Sequence, residues 1–198
     1  KRGRPRSYDP EAALKAALQV FRTHGYSATS LDLLSEATGM NRPSLYAAFG
    51  NKKAIYRQAL AHYHRDLRRK LGPVLFGKRG LREDLTRFYR AALEEYDSPI
   101  HGMVGCSMIC TATTEADHDE EIRADLSPAL TRIDHSLRRR FRQARDEFPN
   151  IDAGNTALMA SAMLHSLAIR TRARQQGFDA LDFISASVDH LFRNASSR

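Results

Sequence analysis

Tryptophan is absent, cysteine occurs twice, and no stretch of the 198 residues approaches the ~20 consecutive apolar side chains of a membrane-spanning helix. Two cysteines cannot staple a chain of this length, so a disulfide scaffold is excluded and a thiol-reducing compartment is expected. No charged leader followed by an apolar stretch is present, and the expectation is a cytoplasmic protein with no membrane partner. Also missing are a G-x-S-x-G elbow, a phosphate-binding glycine loop, an H-E-x-x-H pair and a dinucleotide fingerprint. The histidines therefore sit in no recognisable catalytic frame, and the chain is not expected to be an enzyme. Strand-like alternation and internal repeats are lacking too, which leaves an all-α fold.

What the chain has in excess is positive charge, unevenly placed. The formal net charge is +8. Residues 1–70 hold 14 Lys and Arg against 5 Asp and Glu, a net of +9, while residues 71–198 hold 17 against 18, a net of −1. Basic surface that served only solubility would not be confined to one third of the chain. A head that binds a polyanion, set on a neutral body, would produce this distribution.

That third also carries the densest helix punctuation. Asp9 caps a helix with Pro10 at its first position, and Leu14, Ala17, Leu18 and Phe21 recur at helical spacing until His24-Gly25. A short helix starting at Thr29 or Ser30 is predicted to turn Leu31, Leu34 and Ala37 inward. Gly39 supplies the positive φ of a tight turn, Met40 plugs the gap, and Asn41 caps a second short helix that has Pro43 near its start. Leu45 and Phe49 face the core, leaving Arg42, Ser44, Tyr46 and Ala47 outward. Two short helices hinged at a glycine with this outward face read as a helix-turn-helix.

Thr29-Ser30, Gly39, Leu45-Tyr46, Phe49-Gly50 and Lys52, at these spacings, resemble the TetR family of one-component transcriptional repressors over about the first sixty residues. The resemblance implies about nine helices: a three-helix DNA-binding head (1–50) and a helical ligand-sensing and dimerisation body (51–198). It implies a homodimer that represses from a palindromic double-stranded operator until an inducer releases it. On the head, Arg42 is the candidate base-edge or phosphate contact, and Ser44 and Ala47 are candidate base contacts. Tyr46, Thr29 and Lys52 are candidate phosphate contacts, with Ser30, Asn41 and Pro43 on the same surface. In the KRGRPR arm, Arg2, Arg4 and Arg6 resemble the minor-groove core of an AT-hook, or else form a disordered tail with only non-specific phosphate affinity.

Beyond the head, Asn51 is expected to cap a long helix that Gly72-Pro73 ends near Leu71, followed by a helix from Leu81 to about Tyr96. His101 to Gly105 reads as a loop and Cys106 to about Thr114 as a short, buried apolar helix. A helix from about Asp119 to Glu147, bent at Pro128, precedes two more at about 152–176 and 179–192. In these last two, Ala157, Ala160, Ser161, Leu164 and Ala168, with Phe183, Ile184, Val188, Leu191 and Phe192, form either intrachain core or a dimer face. The resemblance implies the dimer, since the family's dimers pack these helices as a four-helix bundle.

The unusual chemistry of the body is GCSMICTA, residues 105–112. Cys106 and Cys110 lie four apart, with Cys106 in a first turn whose unpaired N–H groups would lower a thiol's pKa. They are either small buried hydrophobes, or a thiol that senses oxidants or electrophiles, as in a similar TetR subgroup with a cysteine beside its ligand cavity. A metal site using His101 or His165 is a third reading, weakened by ligand supply, and neither a metal nor a cofactor is expected. A conventional pocket for an unknown inducer would be lined by Phe88, Tyr89, Tyr96, Met103, Met108, Met163 and His165, with Arg170 pairing with an anionic inducer. The alternative for the whole chain is a ligand-independent architectural DNA-binding protein, which the basic arm suits and the large neutral body opposes.

Overall fold

The computed structural model describes residues 8–97 and 105–193; Arg2, Arg4, Arg6, His101 and Met103 lie outside them. Among the described residues there are nine α-helices and no strand. The head holds α1 (Pro10–Ala28), α2 (Leu31–Thr38) and α3 (Arg42–Phe49). The body holds α4 (Lys52–Leu75), α5 (Leu81–Tyr96), a π-helical segment (Met108–Ala112) running into the four-residue α6 (Thr113–Ala116), α7 (Glu120–Gln143), α8 (Ala153–Ala173) and α9 (Ala180–Phe192).

Capping chemistry sets most of these starts. The side chains of Asp9, Ser30, Asn41, Asn51, Asp119, Asp152 and Asp179 each accept an N–H from the first turn they precede. Gly39 closes α2 at φ 66°, a left-handed conformation that favours glycine, so the turn into α3 is set by that residue. Leu34, Leu45 and Phe21 are fully buried in the head core with Met40 over them. Ala37 is exposed and Leu31 half-buried, so the inward face of α2 is narrower than its spacing suggests.

Two expectations about the body need correction. Helix α4 does not end at Gly72-Pro73 but runs through Pro73 to Leu75. Proline there removes one N–H from the last turn only, and Leu71 and Leu75, both buried, anchor that turn in the core. The segment after Cys106 is wound as a π-helix before it becomes α-helical, a wider turn than the regular short helix expected.

The body is organised about α7 and α8 packed together, with α5 held between α4 and the last two helices. One buried ion pair fixes it: Arg140 on α7 donates to Asp84 on α5 at 2.8 Å and to the Leu75 carbonyl at 3.0 Å. Gly77 makes room for this pair, since a Cβ there would lie 2.3 Å from an Asp84 carboxylate oxygen.

Head and body share α4 as a wall. Phe21 meets Tyr56 edge-on at 4.9 Å, and Tyr26 packs on Tyr56 at 5.0 Å. The Tyr56 hydroxyl is 3.1 Å from that of Thr111 in the π-helical segment. The buried Arg22 of α1 donates to the Gly105 carbonyl at 3.1 Å, one residue before Cys106. Gly105 itself stands at φ 96°, where a Cβ would fall 3.0 Å from the Cys110 sulfur. The head therefore touches the cysteine segment through the buried Arg22 hydrogen bond, and Tyr56 of α4 joins the same segment beside it.

Candidate nucleic-acid interface and body cavity

Helix α3 presents Asn41, Arg42, Pro43, Tyr46 and Ala47 to solvent, with Ser44 half-buried among them. Leu45 and Phe49 are the residues that hold it down. Asn41 caps the helix by accepting the Ser44 N–H at 2.9 Å, and Ser30 caps α2 by accepting from Leu33 at 3.2 Å. Both polar side chains are thus partly committed to local structure. Arg42 is drawn sideways to Asp32 on α2, its Nε donating at 2.8 Å, and this partner holds the Asp32 carboxyl below its ordinary range. Both groups are exposed, so a phosphate or a base edge can compete for the guanidinium.

Two of the expected phosphate contacts are placed differently. Thr29 is buried and its hydroxyl donates to the Gly25 carbonyl at 2.6 Å, closing the end of α1. Lys52 points inward: its ammonium donates to the carbonyls of Tyr26, Ser27 and Thr29 at 3.0, 3.3 and 3.0 Å and lies 4.6 Å from the centre of the Tyr26 ring. An ammonium has three N–H donors, and three carbonyls account for them. Lys52 locks the α1–α2 connection to the start of α4, and the positive charge offsets the carbonyl end of α1.

In the body, a cavity of about 480 Å³ opens between α4, α5, α7, α8 and the π-helical segment. Of the lining expected from sequence, Phe88, Tyr96, Cys106, Met108 and His165 stand on its wall, as does Leu164. Tyr89 is turned away and donates to the Ala160 carbonyl at 2.8 Å. Cys110 faces the Ala168 carbonyl at 3.8 Å, and Met163 is not on the wall. Arg170 is engaged elsewhere, with Ser166, Gln175 and the rings of Phe178 and Phe183.

Sequence reasoning missed His64, Arg68, Arg132 and Arg139, which line the cavity from α4 and α7. Their i, i+4 and i, i+7 spacing was the available signal. Burial, with Arg132 and Arg68 close by, pushes the His64 imidazole down to about 4, so it is neutral at physiological pH.

The readings of the cysteine segment separate on burial, which favours small buried hydrophobes over a reactive thiol. The Met108 and Ile109 amides, the Tyr63 hydroxyl and Arg22 all favour the Cys106 thiolate, but complete burial outweighs them and pushes the thiol up. Burial raises Cys110 too, aided by its neighbour. Both are free thiols. Among the described residues no cluster of three or more His, Cys, Asp or Glu could hold a metal ion, and no helix is long and apolar enough to cross a membrane.

The face expected at a dimer interface lies largely inside the protomer. Ala157, Ala160, Ser161, Leu164, Ala168, Ile184, Val188, Leu191 and Phe192 are buried and Phe183 is half-buried, because α8 packs on α5, α7 and α9 with these positions. The large apolar side chains left exposed on the same two helices are Leu158, Met159, Ile169 and Leu181.

The head and the fold have counterparts among known proteins. Residues 13–59, spanning α1 to the first part of α4, match the family described as bacterial regulatory proteins, tetR family. The chain is 33% identical over 174 residues to the HTH-type transcriptional repressor ComR of Escherichia coli (strain K12), covering 86% of this chain and 83% of that one. It is 35% identical over 107 residues to the HTH-type transcriptional repressor BdcR of the same organism, about half of each chain. Among solved structures it is similar to a cysteine-substituted TetR family regulator, CifR, complexed with 26-base-pair double-strand operator DNA, with a TM-score of 0.81, 30% identity and coverage of 96% and 98%. A helix-turn-helix of this geometry, the family match across it and a relative alike over most of both chains together mean that the chain belongs to the TetR family of bacterial transcriptional regulators.

Proposed function

We propose that this protein is a dimeric repressor that binds a palindromic operator through α3 and leaves it when its body is occupied. The observation that carries this reading is the outward face of α3, with Arg42, Pro43, Ser44, Tyr46 and Ala47, on a head hydrogen-bonded through Arg22 to the segment walling the body cavity. Arg42 is the main base-edge reader, Ala47 supplies apolar contact to a thymine methyl, and Tyr46 and Ser44 contact phosphates or bases. The KRGRPR arm adds affinity from the adjacent groove. That CifR, similar over nearly the whole chain, is found complexed with operator DNA supports operator binding by this fold.

The dimer forms through the exposed faces of α8 and α9, where Leu158, Ile169 and Leu181 are the apolar anchors, and the residues buried beneath them hold the two helices at a fixed spacing. An inducer in the cavity shifts the dimer toward a head separation unsuited to two successive major grooves. Selection of duplexes from a random pool by the full chain tests this: enrichment of an inverted repeat is expected, and a pool that stays random would sink the proposal.

A further inference from the structure

The cavity wall has a one-sided charge pattern. His64, Arg68, Arg132, Arg139 and His165 stand on it, and no Asp or Glu does. The remainder is mostly apolar, with Leu67, Leu71, Ile133 and Phe88 prominent.

The same two helices treat their basic residues differently a few turns away. Near the start of α4, Lys53 is met by Asp119 and Glu121, and Arg57 by Glu121 and Asp125, all at the beginning of α7. Beyond His64 the acids stand off the cavity wall: Asp66 pairs with Arg69, Glu95 with Lys70 and Asp84 with Arg140, while Asp125 shares an adjoining pocket with His64 and Arg132. Among the described residues neither Arg68 nor Arg132 makes an ion pair, although Arg68 also borders a groove with Glu11 and Asp66. Arg139 lies 4.1 Å over the Phe76 ring. Asp134 acts on His165 but is not on the wall. Arg68 and Arg132 are exposed residues that stand on the rim of an otherwise largely apolar chamber, both close to His64. Like charges gathered without counter-charge repel, and an anion placed among them removes the repulsion while gaining charge-assisted hydrogen bonds. A cation there would meet three guanidiniums.

We propose that the cavity takes a small amphiphilic anion, with a carboxylate held between Arg68 and Arg132 and a compact apolar body lying toward Leu71, Phe88 and Ile133. A chamber of about 480 Å³ lies in the lower half of the ~300–1,000 Å³ range of small-molecule sites, which fits a short-chain or bicyclic body. The inference rests on the regulator reading only in taking this cavity as the effector site.

Calorimetric titration of the full-length protein with decanoate, decanol and decylamine, and with naphthoate, naphthol and naphthylamine, varies the head group on two constant bodies. The expected result is a preference of at least about ten-fold for the anion in one series or both. Arg68→Ala/Arg132→Ala should lose at least about ten-fold in affinity for that anion, with the neutral analogue much less affected and the Lys/Lys variant intermediate. If the alanine variant does not fold by circular dichroism, the Lys/Lys variant decides by the same ratio. Equal affinity across head groups, preference for the amine, no saturable binding by any of the six, or unmoved anion affinity in the variant would overturn the inference. Selected-duplex binding is measured on the same preparation. Specific DNA binding without anion preference overturns this inference alone, whereas absence of specific DNA binding overturns the regulator reading instead.

Discussion

The two halves of α4 carry similar side chains to different ends. In the first half, Lys52, Lys53 and Arg57 are all satisfied by the protein's own carbonyls and carboxylates. In the second, Arg68 joins Arg132 beside a cavity without acidic groups. The basic excess of the N-terminal third is therefore not one footprint. Part of it holds the head together, part faces outward on α3, and part borders the body cavity. Partnering, more than the count of charges, decides which basic residue is available to a ligand.

The strongest test of that contrast is in the body core, where a paired charge is fully buried. Asp84→Ala leaves Arg140 without its carboxylate and should destabilise the protein by about 3–5 kcal/mol in urea melts, because the guanidinium stays desolvated. A loss within the range of surface pairs would mean the pair is not structurally required. Next in size is Lys52→Met, expected to cost roughly 1.5–3 kcal/mol of stability, since three carbonyls lose a charged donor. Its salt slope for DNA binding should stay the same. A slope lowered by about one unit with an unchanged melt would instead make Lys52 a phosphate contact and erase the contrast along α4.

Arg42→Ala should leave the melt nearly unchanged and lower affinity for the selected site roughly ten- to hundred-fold, with little effect on a scrambled duplex. An equal fall on both duplexes would assign Arg42 to the phosphate backbone.

The smallest effect is in acid. The unfolded chain protonates His64 near its ordinary 6.5, whereas the folded protein resists until about 4. This contribution to stability is complete above pH 6.5 and is lost as the pH falls through 4. His64→Gln should flatten that part of the melting profile between the two values, and an identical profile would place the acid sensitivity elsewhere.

The head was legible in the sequence because its signals are short-range. Asp9, Asn41 and Asn51 cap within three residues, Gly39 sets its own turn, and Leu45 and Phe49 lie one helical turn apart. The body resisted where its chemistry is assembled over distance. His64 meets Arg132 only once α4 and α7 are packed, and spacing within either helix does not say which partner it will face. At Cys106 a first-turn position favours the thiolate while burial favours the neutral thiol, and burial by residues remote in sequence decides between the two readings. The inward turn of Lys52 was hidden for the same reason, since its three acceptors lie more than twenty residues earlier.

The central claim, that the outward face of α3 reads a particular DNA sequence while the basic residues at the start of α4 serve the protein itself, comes down to a specificity ratio. Fluorescence anisotropy at one fixed salt concentration would compare the full chain on its selected inverted repeat with the same duplex scrambled. The account predicts at least about a thousand-fold tighter binding to the inverted repeat. A ratio near one, with both affinities falling together as salt is raised, would contradict it and describe a protein that recognises DNA only as a polyanion.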